Sequence, residues 1–179
     1  MRTYATLFAL TIAVTGCGQQ STSAITARVP SSDGKGTASQ GTTRRPMKGT
    51  CEATPSGPPV VTPPTLRQPD TGTCQLSHLG ATTLHAVRVS NLATGALVIE
   101  IEFTAANGDV LRGTNVGTGT PSGPNTIRFV GTTTIAGGTG RFANATGEWQ
   151  SQGTADLVTG KASFTYDGWI VYDASGGAS

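Results

Sequence analysis

The sequence predicts an all-β protein, an eight-stranded antiparallel up-and-down barrel, and three observations carry that prediction. After Cys74 apolar and polar residues alternate at period two, and no window repeats apolar residues every three or four positions as a helix bundle requires. Reversals rich in Gly, Asn and Pro recur at short intervals, so consecutive strands pair as a meander. An open sheet of that length has two unprotected edges and no helix to cover them, and closure removes the problem. Eight strands enclose a lumen just wide enough to fill with side chains or to hold one small ligand. A two-sheet sandwich is the competing architecture, but it favours long crossovers that these short turns do not supply.

The chain has 179 residues, room for one domain and a tail. Its front reads as an export signal over residues 1–16: Arg2 supplies the positive start and Tyr4 to Val14 an apolar run. That run is too short to cross a bilayer, which takes roughly 20 apolar residues, and no such stretch occurs downstream. Val14-Thr15-Gly16-Cys17 resembles the lipobox of bacterial lipoproteins, which implies an acylated Cys17 as the first mature residue and membrane attachment through lipid. Cleavage after Thr22-Ser23-Ala24, leaving an inert Cys17, is the alternative. Residues 17–45 are polar and Gly/Ser/Thr-rich, with too few apolar side chains to offset the entropy of ordering, and read as a flexible tether spanning roughly 30 Å. The barrel is expected over residues 46–173 and a short tail over 174–179.

With Cys17 assigned to lipid, Cys51 and Cys74 remain as a pair outside the cytoplasm, where disulfides persist. A metal site is the alternative, but neither a Cys-x-x-Cys spacing nor a nearby His pair supports it. Ser56 to Pro69 carries Pro58, Pro59, Pro63, Pro64 and Pro69, and is expected as the long loop of a hairpin stapled by the cysteines. Thr82 to Leu92 forms the next strand, turning at Ala93-Thr94-Gly95. In Leu97 to Phe103 the odd positions are apolar and most even ones polar, a half-buried strand. Asn107-Gly108 then suits a two-residue hairpin turn. Val110 to Thr118 follows and is broken by Pro121-Ser122-Gly123-Pro124; Ile127, Phe129 and Ile135 mark one face of another strand. Trp149, Ala155 and Leu157 share a face before Thr159-Gly160, and Ala162, Phe164, Tyr166, Ile170 and Tyr172 share one in the last strand.

Ile135-Ala136-Gly137-Gly138-Thr139-Gly140-Arg141-Phe142-Ala143-Asn144-Ala145-Thr146-Gly147 resembles the Gly-Gly-Thr-Gly-x-Phe signature shared by dirigent proteins and allene oxide cyclases. The likeness to bacterial relatives of that superfamily extends from Arg45-Pro46-Met47-Lys48-Gly49-Thr50, through Ser77-His78-Leu79-Gly80 and Phe103 to Asp109, as far as Gly153-Thr154-Ala155-Asp156-Leu157. It implies a calycin-like, allene oxide cyclase-like barrel; no catalytic side chain of the plant cyclases has a counterpart here. Read physically, Gly137, Gly138 and Gly140 permit positive φ in a loop between strands, and Phe142 is placed to plug one barrel end. A phosphate cradle would need a terminal Gly-Lys-Ser/Thr and a following helix, whereas Arg141-Phe142 and a strand stand there.

The remaining chemistry is sparse, and catalytic residues are unknown. Glu100 and Glu102 lie on one face roughly 7 Å apart, a spacing open to acid/base work, but opposite the apolar face and therefore toward water. His78 and His85 have no carboxylate or thiol at ligand spacing and suit turn or surface roles. No Gly-x-Ser-x-Gly elbow occurs, and Asn144-Ala145-Thr146 matches a glycosylation acceptor by chance. Phe129, Trp149, Phe164 and Tyr166 share the inward parity and either fill the lumen or line a pocket. Gly131, Gly147, Gly153 and Gly168 add no side chain there, which leaves room for a cavity.

The formal charge of +2 falls near neutral once Arg2 is removed, so no nucleic-acid partner is expected; nor is a cofactor or metal. The leading expectation is an envelope lipoprotein, outside the cytoplasm and on the outer membrane where the cell has one, since Gly18 rather than Asp follows the cysteine. Its non-catalytic barrel would bind a small apolar molecule or act as a structural or contact module. The alternative is a cofactor-free cyclase or isomerase resembling allene oxide cyclase, which needs little beyond a shaped apolar pocket. A solid lumen would remove ligand binding, and a charged pair inside the lumen would revive catalysis.

Overall fold

The computed structural model describes residues 43–174; the leader, Cys17, most of the tether and residues 175–179 lie outside them. The chain runs through β1 (Arg45–Pro55), β2 (Val60–Thr62), β3 (Thr65–Leu76), β4 (Gly80–Asn91), β5 (Ala96–Ala105), β6 (Val110–Gly123), β7 (Thr126–Gly138), β8 (Thr146–Asp156) and β9 (Ala162–Val171). All pairings are antiparallel between spatial neighbours, and β1 pairs with both β3 and β9. Eight strands therefore close a ring, with the short β2 added to the start of β3. The only helical piece among the described residues is the turn Gly140–Phe142.

Alternation sets the wall. In β5, Leu97, Ile99, Ile101 and Phe103 turn inward while Glu100 faces water, the pattern a sheet with one wet face demands. Cys51 stands opposite Cys74 in the β1–β3 ladder, and the two form a disulfide.

The two ends of the barrel differ because inward side chains differ in size. At the end where β1 begins and β9 finishes, Met47, Phe103, Leu111, Phe142, Trp149 and Ile170 are all fully buried. Their rings interlock: Trp149 lies 5.3 Å from Tyr166 and 5.8 Å from Phe103, and Phe142 lies 5.1 Å from Tyr172. This is a solid plug. Toward the other end the inward positions include Ala53, Ala86, Ala155 and Ala162, and the wall there encloses a cavity.

Three local expectations need correction. Ser56 to Pro69 is not one loop, since β2 and the start of β3 lie within it. Pro69 is tolerated in β3 because its carbonyl accepts from the Ser56 amide at 3.0 Å, so its ring nitrogen faces the gap between β1 and β2, where no ladder bond is lost. Likewise β6 runs through Pro121 to Gly123: the Gly119 amide bonds the Gly95 carbonyl, and beyond it β5 offers no partner on Pro121's side. The break falls at Pro124 and Asn125 instead. Third, the Asn107-Gly108 reversal is a three-residue loop. The Gly108 amide donates to the Ala105 carbonyl and Gly108 alone is left-handed, at φ 84°, while Asn107 Oδ1 accepts from the Asp109 amide.

Candidate functional site

The mouth half of the lumen holds a cavity of about 610 Å³, within the range of small-molecule sites. Its walls are apolar: Leu66, Leu84, Leu97, Ile99, Ile127 and Phe129 from β3, β4, β5 and β7, closed by Phe164 from β9. Ile101, Asn115, Ser151 and Tyr166 form the floor. A second concavity of about 620 Å³ crosses the outer faces of β3, β1, β9, β8 and β7, lined by Thr50, Thr73, Gln75, Arg128 and Gln152 among others. It is an open groove on the outer wall, whereas the lumen can take a ligand out of water, so the lumen is the candidate site.

Polar groups in the cavity are few and placed. Arg88 on β4 grips Asp70 on β3, Nε to Oδ2 at 3.1 Å and Nη2 to Oδ1 at 3.5 Å. The pair neutralises itself. Two residues along β4 on the same face, the buried Ser90 Oγ has no hydrogen-bond partner, an arrangement that costs stability unless something else meets it. On the floor, Asn115 Nδ2 donates to Thr133 Oγ1 and Ser151 Oγ, each at 2.8 Å, and Ser151 Oγ donates to the Gly131 carbonyl at 3.1 Å. The Tyr166 hydroxyl joins this network through Thr133, and burial pushes its pKa up, so it stays a neutral phenol.

Of the aromatic residues singled out in the sequence, Phe129, Phe164 and Tyr166 line the cavity. Trp149 does not: it is fully buried one level below the floor, with Nε1 donating to the Trp169 carbonyl at 3.0 Å. The glycines do not make the cavity either. A Cβ at Gly131 would meet the Asn115 side chain, one at Gly153 Phe164 and the Ser163 carbonyl, and ones at Gly147 and Gly168 the backbone of the neighbouring strand. They let strands approach closely, and the alanines leave the space.

The other candidates sit elsewhere. Glu100 and Glu102 are on the outer wall, where Glu102 pairs with Arg112 at 2.9 Å. His85 is exposed, and His78 holds the β3–β4 turn at the plugged end with Nε2 2.9 Å from the Pro46 carbonyl. In the glycine cluster Gly137 and Gly140 are left-handed but Gly138 is not; there a Cβ would strike the Val110 carbonyl. Thr139 Oγ1 accepts from the Val110 amide at 2.9 Å and Arg141 pairs with Asp109 at 3.6 Å, which seats Phe142 in the barrel end. The signature is thus a closure device. No group of three or more His, Cys, Asp or Glu among the described residues could hold a metal ion, and no described helix is long and apolar enough to cross a membrane.

Asp70, Arg88, Ser90 and Asn115 were missed by sequence reasoning. A signal existed: in Ala86-Val87-Arg88-Val89-Ser90 the alternation begun by Leu84 puts the polar residues inward and the valines outward.

No family model matches the chain, and no curated protein does. Two similar solved structures are those of the pterocarpan synthase dirigent proteins GePTS1 and PsPTS1. The first shares 20% identity over 73% of this chain and 88% of its own, with a TM-score of 0.50. The second shares 14% identity over 73% of this chain and 96% of its own, with a TM-score of 0.50. The class defined is therefore an all-β closed barrel with the dirigent-like fold.

Proposed function

We propose that the protein is an exported lipoprotein, held by acylated Cys17 in the cell envelope, whose barrel binds a small, neutral, largely apolar molecule. The observation that carries the binding reading is the cavity of about 610 Å³, apolar on its walls and closed at one end by packed aromatic rings. Asp70 and Arg88 cancel each other, so a charged ligand would find no net attraction. Because β1 begins at the plugged end, the tether joins the barrel opposite the mouth.

The neutral fluorophore phenylnaphthylamine tests this: its emission should rise with the wild-type chain and not with Ala86→Phe/Ala155→Phe, which fills the lumen. No rise with the wild type sinks the binding reading. Native mass spectrometry of the purified chain would then identify the resident molecule. For the anchor, Cys17→Ser should release the protein from membranes, and a variant that still pellets with lipid removes the lipoprotein reading.

One observation favours a second reading, a cofactor-free cyclase or isomerase: a charged pair lies inside the lumen, and the floor of the same cavity carries a neutral phenol. The similar structures are described as pterocarpan synthases. Binding ranks first because Arg88 occupies the carboxylate of Asp70, and the cavity lining contains no His, Cys or Lys as a base or nucleophile. Turnover of an unsaturated epoxide, lost in Asp70→Asn, would reverse that ranking.

A further inference from the structure

Eight large hydrophobic residues are exposed among the described residues, and five of them, Val60, Val61, Leu92, Leu157 and Val158, belong to three separate segments at the open end of the barrel. Each is between 52% and 73% exposed. Leu92 and Leu157 also line the cavity, so the apolar lumen wall reaches the rim. Among the described residues nothing comparable occurs at the plugged end, where the large apolar side chains are buried.

The rim is also braced. The Leu92 amide bonds the Pro64 carbonyl at 2.7 Å, Gly119 bonds Gly95 at 2.8 Å, and Leu157 bonds Asn125 at 2.7 Å. Gly160 abuts Pro55 so closely that a Cβ would strike the proline ring. Each of these loops is thus fastened to a neighbouring loop or strand around an open hole. The charges fit one kind of surface: Arg67 and Lys161 stand exposed beside the rim outside every ion pair of the described residues, two cations against the one carboxylate of Asp156, which accepts from the amides of Val158 and Thr159.

We infer that the mouth docks onto an anionic lipid surface, with the five aliphatic side chains entering the acyl boundary and Arg67 and Lys161 meeting headgroups. An annulus of apolar knobs around a hole suits a fluid surface, which fills the gap, better than a rigid protein face, which would need a plug of matching shape. Apolar area and basic flanks together are the ingredients of interfacial binding. Docking would place the lumen against hydrocarbon, so an apolar ligand passes between the two without crossing water. The inference goes beyond lumen binding, and its test works with the lumen empty.

The test uses the full chain carrying Cys17→Ser, so that no acyl group contributes, in two forms, Val158→Trp at the rim and Val116→Trp on the outer wall. Both are mixed with vesicles of phosphatidylcholine and phosphatidylglycerol containing brominated acyl chains. Quenching should be several-fold greater at position 158 than at 116, because native Trp149 and Trp169 contribute equally to both. Adding Leu157→Asp should lower the quenching at 158 by roughly tenfold, and pure phosphatidylcholine should also weaken it. Equal quenching at both positions, greater quenching at 116, or none at 158 would overturn the inference. Phenylnaphthylamine binding without vesicles reports separately on the lumen.

Discussion

Replacing Trp149 by alanine removes the largest fully buried side chain of the protein from the plug beneath the cavity. Truncating a buried tryptophan costs about 3–5 kcal/mol in a core that relaxes only partly. The site is at the upper part of that range. The indole Nε1 leaves the Trp169 carbonyl without its 3.0 Å donor, about 1 kcal/mol, and ring contacts with Phe103 and Tyr166 are lost, each about 0.5–1.5 kcal/mol. These contributions overlap, so a loss of about 4–5 kcal/mol is expected, against a total of about 5–15 kcal/mol for a domain. Urea denaturation followed by circular dichroism measures it as a fall in midpoint at unchanged slope. Trp149→Phe, which keeps a ring but not the N–H, should lose only about 1–2 kcal/mol. A loss below about 2 kcal/mol for the alanine variant would mean that the plug is loosely packed, and the division of the lumen into solid and hollow halves would fail with it.

Three further outcomes follow from the same geometry. Replacing Cys51 and Cys74 together by alanine should destabilise the fold by roughly 3 kcal/mol, the loop-closure value for a separation of this length; thiol titration of the unfolded, unreduced chain should find neither cysteine free. Tyr166 has its pKa raised in the folded state by burial, so above about pH 10 the unfolded chain ionises this phenol first and stability declines as pH rises. Tyr166→Phe should lose that decline, and an unchanged alkaline limb refutes the assignment. For Asp70 and Arg88, whose side chains are 11% and 32% exposed, a double-mutant cycle should give about 1–2 kcal/mol of coupling after discounting for solvent. Coupling near zero would free Arg88 to meet an anionic ligand.

Much of the barrel was legible because period two is a local signal: Leu97 to Phe103 and Ala162 to Tyr172 declare their inward faces without reference to any partner. Proline hid two stretches of strand. Pro69 and Pro121 read as breakers, yet each points its missing donor at a side of the sheet where pairing has already stopped, and only the ladder tells that. Depth along the lumen was also invisible. Trp149 and Tyr166 share inward parity, but in the β8–β9 ladder Tyr166 stands opposite Ser151 and Trp149 opposite Gly168. One level decides between cavity floor and core, and it depends on barrel stagger rather than on alternation. Asp70 and Arg88 were missed for a related reason, since Asp70 directly follows the stretch that its prolines mark as loop.

The register of the first strand bears on how the domain withstands pulling. Any load arriving through the N-terminal segment reaches β1 at Arg45, where the strand is hydrogen-bonded to β9. Peeling can advance from Arg45 only as far as Thr50, because Cys51 is covalently joined to Cys74 on β3. Beyond that point tension passes into a second strand of the wall, and rupture must shear several ladders at once instead of unzipping one. Were the chain pulled from its N-terminal end, the disulfide would act as a mechanical stop only six residues into the first strand.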